Sequence, residues 1–487
     1  MRFSILIFIY LILLLPAAAQ TKPDNAAERH TYTPVIEPCS CPVQVDSSFK
    51  TRCGYLVVPE NRKKANGKTI KLPFIMALSN NPRKRMDPLL FTSGGPGSSS
   101  LGWIKNATKN FPIKERDCIA FEQRGTRYAL PALSGKELSD AVKESYRKNL
   151  NKDSMVLVGV RRFKKALEDK GIDLTGYNTD ETVADIDDLL ITLHIDSVNL
   201  LGGSYSGGLM LAVLRQDPTR VRSLTLDSPL PTFVPIDEDE PANFNEALNV
   251  LFRHVEKDSA DQVLYGNLKE RFQQYFTSIG GKIFSIPYRE KDSPDTLNIQ
   301  YTRSDLLDVI ENTLFRVPKL KDIPYMITEM IKGNHAIYIR EHLDDIFEYG
   351  TGPSGMRISV YCADQTAYHH ESILDRANKV YPYMEGYHIN DVYKAMCDCW
   401  PVPPIKPETK QPYYSDKPIL LVDGAFDPAC RPLYIDMIHH YMPNSQRFVF
   451  LKYSHGVGGP DMEIIFEQFL ADPFRKIEIQ NKDIIAY

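Results

Sequence analysis

The chain has 487 residues, of which 43% are hydrophobic, and a formal net charge of −4 at pH 7. This length allows one large domain carrying an insertion, or two to three separate domains. The near-balanced charge and an isoelectric point of about 6.3 exclude the strongly basic surface of a nucleic-acid-binding protein.

The N-terminal residues have the pattern of an export signal. Arg2 precedes an apolar run at 3–15, and small residues follow at 16–19. A positive charge, a short apolar run and small residues together predict a signal peptide over 1–19. The apolar run is short for a membrane span, so an uncleaved anchor is the weaker alternative. We therefore expect a secreted or periplasmic protein with no stable membrane association after signal removal.

All eight cysteines lie beyond this segment. An even number of cysteines in an exported protein favours disulfides. Neither of the two Cys-x-Cys pairs has histidines at the spacing of a zinc site, so we expect no metal. The cysteines are Cys39, Cys41, Cys53, Cys118, Cys362, Cys397, Cys399 and Cys430.

Strands and helices are predicted to alternate through the first part of the chain. Residues 20–38 are polar and rich in proline and alanine, which predicts a flexible lead-in ending near Cys39. An amphipathic helix is predicted at 179–193, whereas the charged helical segment 135–170 has the pattern of a solvated face. Alternating strands and crossover helices indicate a parallel sheet. Apolar runs predict strands at 53–59, 68–77, 88–92, 198–202 and 221–227, and residues 117–126 are predicted to be a strand that ends in a turn.

A glycine-rich loop, Ser-Gly-Gly-Pro-Gly-Ser-Ser, follows the strand at 88–92 and covers 93–99. Its glycines let the backbone approach another group closely, and its N–H groups can bind an anion. A phosphate-binding loop and a plain turn are the alternatives. The loop lacks the Lys-Ser/Thr ending of a P-loop, which argues against the first of them.

The sequence Gly-Gly-Ser-Tyr-Ser at 202–206 joins a predicted strand to a predicted helix. A nucleophile elbow places a serine on such a sharp turn and needs small residues two positions before and after it. Gly202 and Ser206 meet that need around Ser204. Ser206 departs from the usual glycine and is itself a rival nucleophile. Choosing Ser206 would extend the strand through both glycines, so we favour Ser204.

The pattern changes after the strand at 221–227. Residues 230–412 are mostly polar with helical periodicity, and we predict that they form an inserted helical cap. The acidic run at 237–240 is predicted to be a solvated loop rather than a binding site. The flanking segments, 39–229 and 413–487, are predicted to form the two parts of one α/β core, because strands and helices alternate again beyond the cap.

The second core segment supplies the other residues that nucleophilic catalysis requires. Acyl transfer by a serine needs a histidine base and a carboxylate that orients the imidazole. When the serine lies on an elbow of this kind, the three groups follow in the order serine, acid, histidine. Ser204, Asp427 and His455 satisfy this order, and each comes after a predicted strand. Among the eleven histidines, His455 alone lies just past a C-terminal strand.

Six short motifs are specific in combination. They are Cys-Gly-Tyr-Leu-Val-Val-Pro-Glu-Asn (53–61), Gly-Gly-Pro-Gly-Ser (94–98), Gln-Arg-Gly-Thr (123–126), Gly-Ile-Asp-Leu-Thr-Gly-Tyr-Asn-Thr (171–179), Gly-Gly-Ser-Tyr (202–205) and Asp-Pro (427–428). With them, the chain resembles the proline iminopeptidase and tripeptidyl aminopeptidase family of α/β-hydrolases. The resemblance covers roughly 41–230 and 395–470.

This resemblance implies an α/β-hydrolase fold with a mostly parallel central sheet and an inserted, mainly helical cap. It implies Ser204 as the nucleophile, with Asp427 and His455 as its partners. It also implies an oxyanion hole made by the backbone N–H groups of Gly95 and Tyr205. The cap would limit access to short peptides or free N-termini, and no metal or organic cofactor would be needed.

The resemblance also bears on the cysteines. Cys41 and Cys53 bracket a segment similar to the family's N-terminal loop, and we predict that they pair. In the cap, Cys362 is predicted to pair with Cys397 or Cys399.

The chain departs from its relatives at several positions. Glu122 and Arg127 replace the aspartate and the glycine that relatives carry around Gln-Arg-Gly-Thr. Ser134 and Phe163 stand where relatives often have cysteines, which indicates that one disulfide is absent. Asp364 lies in a Cys-x-Asp sequence similar to one in relatives, and it is a candidate carboxylate for a substrate ammonium group.

We therefore predict an exported serine aminopeptidase that releases proline, dipeptides or tripeptides from the N-termini of short peptides. One alternative is an esterase or lipase-like hydrolase with the same triad. Another is a non-catalytic binding protein on a hydrolase scaffold. Carboxylates in the cap would favour the peptidase, and labelling of Ser204 by a fluorophosphonate would exclude the binding protein.

Overall fold

The computed structural model describes residues 32–45, 49–64, 67–106 and 115–487. The predicted signal peptide and most of the predicted lead-in lie outside the described residues. Within the described ranges, no helix is long and apolar enough to cross a membrane.

Ten of the twelve strands in the described residues form one sheet. The strands are β1 (Val35–Pro38), β2 (Lys50–Pro59), β3 (Thr69–Leu78), β4 (Arg85–Thr92), β5 (Arg116–Phe121), β6 (Val198–Gly203), β7 (Val221–Asp227), β8 (Phe284–Tyr288), β9 (Leu297–Tyr301), β10 (Ile419–Gly424), β11 (Ser445–Phe450) and β12 (Ile484–Ala486).

The sheet has the order β1-β2-β3-β5-β4-β6-β7-β10-β11-β12. Its centre, from β5 to β11, is parallel, and both edges are antiparallel. Because parallel strands need crossover connections, helices cover both faces of the centre, and its side chains are mostly apolar on both sides. The predicted mostly parallel sheet is therefore confirmed, and its functional loops lie at the carboxyl ends of the strands.

The described residues contain fifteen α-helices. They are α1 (Glu137–Lys148), α2 (Lys152–Asp169), α3 (Thr179–Thr192), α4 (Tyr205–Gln216), α5 (Ile236–Lys257), α6 (Ser259–Tyr265), α7 (Leu268–Ser278), α8 (Arg303–Leu314), α9 (Ile323–Ile331), α10 (Ala336–Tyr349), α11 (Gly355–Asp364), α12 (Glu371–Val380), α13 (Lys394–Asp398), α14 (Leu433–Tyr441) and α15 (Pro460–Ala471).

Three hydrophobic clusters hold these elements together. One packs α3 and α4 against a face of the sheet, and another packs α15 against the opposite face. The third joins the elements between β7 and β10 to α1 and α2. The sequence predicted that the charged segment 135–170 is a solvated face. This prediction is wrong in part, because Tyr146, Phe163 and Leu167 are buried in the third cluster.

The polypeptide between β7 and β10, called the insertion below, is mainly helical and runs from α5 to α13. It also contains the antiparallel hairpin of β8 and β9, which the sequence pattern did not predict. A strand at Val35–Pro38 pairs with β2 inside the predicted lead-in, so the sheet begins before Cys39.

Two disulfides join the pairs Cys41–Cys53 and Cys362–Cys397. Both agree with the pairings predicted from the sequence, and the second leaves Cys399 free. Cys39, Cys118 and Cys430 are free as well. At the position where relatives often carry a cysteine, Phe163 packs against Trp400 with ring centroids 5.7 Å apart, so aromatic packing occupies that space.

Candidate active site

Ser204 occupies a sharp turn between β6 and the first residue of α4. Its backbone angles are φ 55° and ψ −131°, a left-handed conformation that is strained for a residue with a side chain. A Cβ atom at Gly202 would lie 2.4 Å from the carbonyl oxygen of Ser206, so a larger residue does not fit there. The geometry is that of an elbow that presents one side chain at the carboxyl edge of the sheet.

The rival residue Ser206 points elsewhere. Its side chain is fully buried, and its hydroxyl is hydrogen-bonded to the hydroxyl of Thr92 on β4. Ser204 lines the large cavity described below, whereas Ser206 does not. Of the two candidates, only Ser204 is placed to meet a substrate there.

Asp427 and His455 lie together at the ends of neighbouring parallel strands. Asp427 Oδ2 is 2.6 Å from His455 Nδ1. The other oxygen, Oδ1, accepts hydrogen bonds from the N–H groups of Ala429 and Cys430, both at 2.8 Å. Because Asp427 is buried and bonded on both oxygens, it fixes the orientation of the imidazole. His455 shares the cavity wall with Ser204.

Electrostatics favour a charged imidazole at this position. Burial opposes the imidazolium form, but the charge and hydrogen bond of Asp427, followed by the charge of Asp227, raise the pKa of His455 above its ordinary value. Burial also raises the pKa of Asp227 itself to about 6, despite the backbone N–H of Val457 bonded to it. The site can therefore stabilise a proton taken up by His455.

A second pair of residues, missed in the sequence, supports the histidine loop from the end of β7. Asp227 accepts the N–H of Val457 at 3.1 and 3.0 Å. Ser228 Oγ accepts the N–H of Gly456 at 3.0 Å and donates to Asp423 at 3.2 Å. A strand ending in Asp-Ser carries no local signal for this role, because the bonded loop lies far away in the sequence.

The glycine-rich loop 93–99 lies directly against the elbow. A Cβ atom at Gly94 would be 2.6 Å from the oxygen of Gly203 and 2.9 Å from the Cβ of Ser204. Gly95 has a φ of 114°, a conformation that glycine alone adopts readily. Gly95 lines the same cavity as Ser204, and Tyr205 is the first residue of α4. The oxyanion hole formed by their N–H groups stays a prediction.

Glu122 anchors the far end of this loop to the core. Its buried carboxylate accepts hydrogen bonds from the hydroxyl of Ser99 at 3.0 Å and from the N–H groups of Ser100 and Leu101 at 2.9 and 3.2 Å. The N–H of Tyr128 bonds to its second oxygen at 3.2 Å. Glutamate stands here in place of aspartate, and both of its carboxylate oxygens accept hydrogen bonds.

A cavity of about 640 Å³ contains the site. Its core side includes Ser204, His455 and the apolar side chains of Phe91, Trp103, Met462 and Phe466. Its other side comes from the insertion, where Phe315 packs edge-on against His455 with ring centroids 5.6 Å apart. The insertion therefore covers the serine and the histidine and bounds the space in which a substrate can lie.

Two glutamates of the insertion, Glu240 on α5 and Glu311 on α8, line the same cavity. We call them the cap carboxylates. Glu240 Oε2 accepts the N–H of Asn390 at 3.2 Å, and Glu311 Oε2 accepts the hydroxyl of Tyr387 at 2.8 Å. Burial raises the pKa of both groups, that of Glu311 to about 8 and that of Glu240 well above its usual range. Such carboxylates gain from a cationic ligand, which relieves the cost of burying their charge.

The acidic run 237–240 is thus not the solvated loop that the sequence predicted. It forms the first turn of α5, and each of its four side chains has a partner within the described residues. The contacts are Asp237 with His369 at 3.0 Å, Glu238 with His370 at 2.9 Å, Asp239 with Tyr434 at 3.1 Å, and Glu240 with Asn390.

Asp364, the carboxylate chosen from the sequence for the substrate ammonium group, lies outside the cavity lining. It accepts a hydrogen bond from the hydroxyl of Thr179, which is also bonded to the hydroxyl of Tyr205 at 2.7 Å. Burial raises the pKa of Asp364 to about 7, although the hydrogen bond from Thr179 and the charge of Lys410 oppose this. Asp364 therefore supports the helices behind the elbow, and the choice of this residue as a substrate contact is corrected.

Within the described residues, one group of side chains has the spacing of metal ligands. Asp305, Asp308 and His342 have candidate ligand atoms within 4.8 Å of one another. The ammonium group of Lys152 is 3.2 Å from each of the two carboxylates. A lysine already neutralises this cluster, which lies apart from the cavity lining.

Comparison with protein families places this geometry in context. A family model described as alpha/beta hydrolase fold matches residues 87–248, and a model of TAP-like proteins matches residues 381–473. Ser204 lies in the first matched segment, and Asp427 and His455 lie in the second. With the sheet order described above, the match confirms the predicted α/β-hydrolase fold. Comparison with curated proteins gave no significant match.

Several solved structures are similar to the chain at low sequence identity. A proline iminopeptidase from Mycobacterium smegmatis is 12% identical, with 86% of this chain and 98% of that chain covered and a TM-score of 0.38. An esterase from Exiguobacterium antarcticum is 13% identical, with 82% and 95% covered and a TM-score of 0.33. An epoxide hydrolase from Bacillus megaterium is 13% identical, with 83% and 98% covered and a TM-score of 0.38.

Proposed function

We propose that this protein with the α/β-hydrolase fold is an exported serine aminopeptidase that cleaves short peptides near a free N-terminus. The observation that carries the proposal is the presence of the cap carboxylates, Glu240 and Glu311, in the same cavity as Ser204 and His455. A serine and a histidine could serve many hydrolases. Two partly buried carboxylates in the same cavity complement the positive charge of the free amino group that every unmodified peptide carries at its N-terminus.

In the proposed mechanism, the substrate ammonium group binds the cap carboxylates and brings the scissile carbonyl to Ser204. His455 takes the proton of the serine hydroxyl as its oxygen attacks the carbonyl carbon, while Asp427 stabilises the imidazolium. The N–H groups of Gly95 and Tyr205 bind the oxygen on which negative charge develops.

His455 then gives its proton to the leaving amine, and the peptide bond breaks. The acyl-enzyme that remains is an ester between Ser204 and the released N-terminal fragment. Water, deprotonated by His455, hydrolyses this ester and restores the free serine. The raised pKa of His455 suits both proton transfers, because the imidazolium must persist until the leaving group departs.

The alternative function is an esterase that uses the same triad. The apolar side chains of Phe91, Trp103, Met462 and Phe466 in the cavity wall are compatible with an acyl chain or an apolar alcohol. Such a substrate carries no ammonium group, and it would leave both cap carboxylates without a cationic ligand.

N-acetylation of the substrate tests the proposal directly. We expect kcat/KM for a short peptide amide to fall by about ten- to a hundredfold on acetylation, because charge-assisted hydrogen bonds contribute roughly 1.5–3 kcal/mol each. Glu240→Gln and Glu311→Gln should reduce cleavage of the free peptide and leave the acetylated one unchanged. Glu463→Gln is the matched control, since Glu463 lines the same cavity from α15 and is exposed.

Equal rates for the free and the acetylated peptide would reject the aminopeptidase. Fast cleavage of a matched butyrate ester, with neither peptide cleaved, would favour the esterase. If the protein bound peptides without cleaving either substrate class, it would be a binding protein on a hydrolase scaffold.

The pH dependence gives a second test. Below pH 8, Glu311 is largely neutral because burial raises its pKa to about 8, so binding of an ammonium group should strengthen as the pH rises. Above roughly pH 8, the substrate amine loses its own charge. We therefore expect kcat/KM for the free peptide to peak near pH 8.

In Glu311→Gln, the acid limb of this profile should lose the contribution of Glu311 and follow the groups that remain, Glu240 and His455, whose pKa values are both raised. The acetylated peptide should show no fall on the alkaline side. A profile for the free peptide that stays flat from pH 7 to 10 would contradict ammonium recognition by these carboxylates.

A further inference from the structure

Arg357 connects the insertion to the glycine-rich loop 93–99. It lies on α11, and its Nη1 donates a hydrogen bond to the carbonyl oxygen of Gly95. Its Nε donates to Asp391 Oδ1 at 2.6 Å and its Nη2 to Asn390 Oδ1 at 3.1 Å. The guanidinium also lies 4.5 Å from the ring centroid of Tyr361. Four neighbours therefore fix the position of this group.

The loop needs such a restraint near Gly95. Glu122 anchors residues 99–101 to the core, but Gly94 to Gly97 lie beyond these bonds. Gly95 and Gly97 both have positive φ angles, 114° and 99°. Glycine loses more backbone freedom on ordering than any other residue, so the direction of the Gly95 N–H depends on what holds its peptide units.

The start of α11 supplies that restraint at two points. A Cβ atom at Gly97 would lie 2.5 Å from Ser354 Oγ, so the loop backbone packs directly on this helix. The same Ser354 Oγ accepts the N–H of Arg357 at 3.2 Å and caps α11. The N-terminus of α11 thus contacts the loop twice, through packing of Ser354 on Gly97 and through the hydrogen bond from Arg357 to Gly95.

We propose that Arg357 is a positioning residue. By holding the carbonyl of Gly95, in the peptide bond to Pro96, it restrains the backbone of Gly95 so that the N–H of the preceding peptide bond points at the developing oxyanion. The inference rests on the proposed serine-hydrolase function, but it does not depend on the substrate being a peptide. Arg357 acts through the backbone of Gly95 and makes no contact with the reacting atoms. Its charge also lies near Glu240 and Glu311, whose pKa values it lowers against the effect of burial.

Two roles of Arg357 must therefore be separated, one at the loop and one at the cap carboxylates. A fluorophosphonate probe separates them, because its reaction with Ser204 requires the oxyanion-binding N–H groups but no ammonium group. Hydrolysis of a neutral butyrate ester separates the two roles in the same way during steady-state turnover. We expect Arg357→Met to lower the second-order labelling rate of Ser204 and kcat for the ester by at least tenfold, with KM for the ester little changed.

Arg357→Lys should recover part of the rate, because one ammonium donor can still reach the Gly95 carbonyl. Asp391→Asn keeps Arg357 but removes the charge that orients it, and it should give a smaller loss. Arg303→Met is the matched control. Arg303 also donates to backbone carbonyls of the insertion, at Phe276, Pro382 and Glu385, but it does not line the cavity. Its removal should leave labelling unchanged.

Labelling of Arg357→Met at the wild-type rate, with only the KM of the free peptide altered, would overturn the inference and leave Arg357 as a charge partner of the cap carboxylates. Equal losses in Arg357→Met and Arg303→Met, with no recovery in Arg357→Lys, would also overturn it. If the wild-type protein labels at Ser204 and hydrolyses the ester but cleaves no peptide, the aminopeptidase proposal fails while this inference stands. If wild-type Ser204 never labels, both fail.

Discussion

Replacement of Ser204 by alanine should lower kcat by on the order of 10⁴–10⁶, because it removes the only atom that forms the acyl-enzyme. The fold should persist, since alanine is small enough for the turn and removal of the hydroxyl loses only its hydrogen bond with the thiol of Cys430, a weak hydrogen-bonding group. Steady-state cleavage of a short free peptide and the thermal unfolding midpoint would measure the two effects.

Ser206→Ala is the informative comparison. This change breaks the buried hydrogen bond between Ser206 and Thr92 and leaves the Thr92 hydroxyl without that partner, which costs about 1–3 kcal/mol of stability. Activity should survive at temperatures where the variant is folded. Near-normal activity in Ser204→Ala, together with loss of activity in Ser206→Ala, would show that the elbow has been assigned to the wrong serine.

Replacement of Asp427 by asparagine should lower kcat by roughly 10⁴, by analogy with the loss of the acid in other serine-histidine-aspartate sites. Asparagine can retain the bonds from the N–H groups of Ala429 and Cys430 through its oxygen. Its NH₂ group would then face His455 Nδ1 and impose the wrong tautomer of the imidazole. The pKa of His455 should also fall, because Asp427 is the first of the charges that raise it.

The pH profile of the residual activity and the unfolding midpoint would together distinguish a tautomer effect from damage to the fold. Activity within tenfold of the wild type would contradict the role given to Asp427. It would point instead to Asp227, the second carboxylate whose charge raises the pKa of His455.

The features that local sequence predicts well are those that depend on a short stretch of chain. The central strands are mostly apolar because both faces are covered, so the apolar runs and the turns that end them can be read from the sequence alone. Ser204, Asp427 and His455 each follow such a strand, and chain order alone limits how they can be combined. The disulfide Cys41–Cys53 closes a short loop and was found from a local motif.

The features that were missed depend on contacts between distant segments. The acidic run at 237–240 looks solvated because four successive charges favour water, and only the fold reveals that α5 turns Glu240 toward a cavity shared with Glu311. Asp364 resembles a ligand by its motif, yet the position of α11 directs it to Thr179. The short edge strands β1 and β12 carry too few apolar residues to be recognised before their partners are known.

The placement of the insertion between β7 and β10 bears on how this protein could acquire new substrates. Both cap carboxylates lie within the insertion, whereas the serine, the aspartate and the histidine lie in the flanking core. Exchange of the insertion by recombination would therefore alter which substrates bind, while the three residues proposed to cleave the bond would remain in the core. The bond from Arg357 to Gly95 limits that freedom. A transplanted cap without a donor for this carbonyl would give a hybrid that binds its new substrate but turns it over slowly.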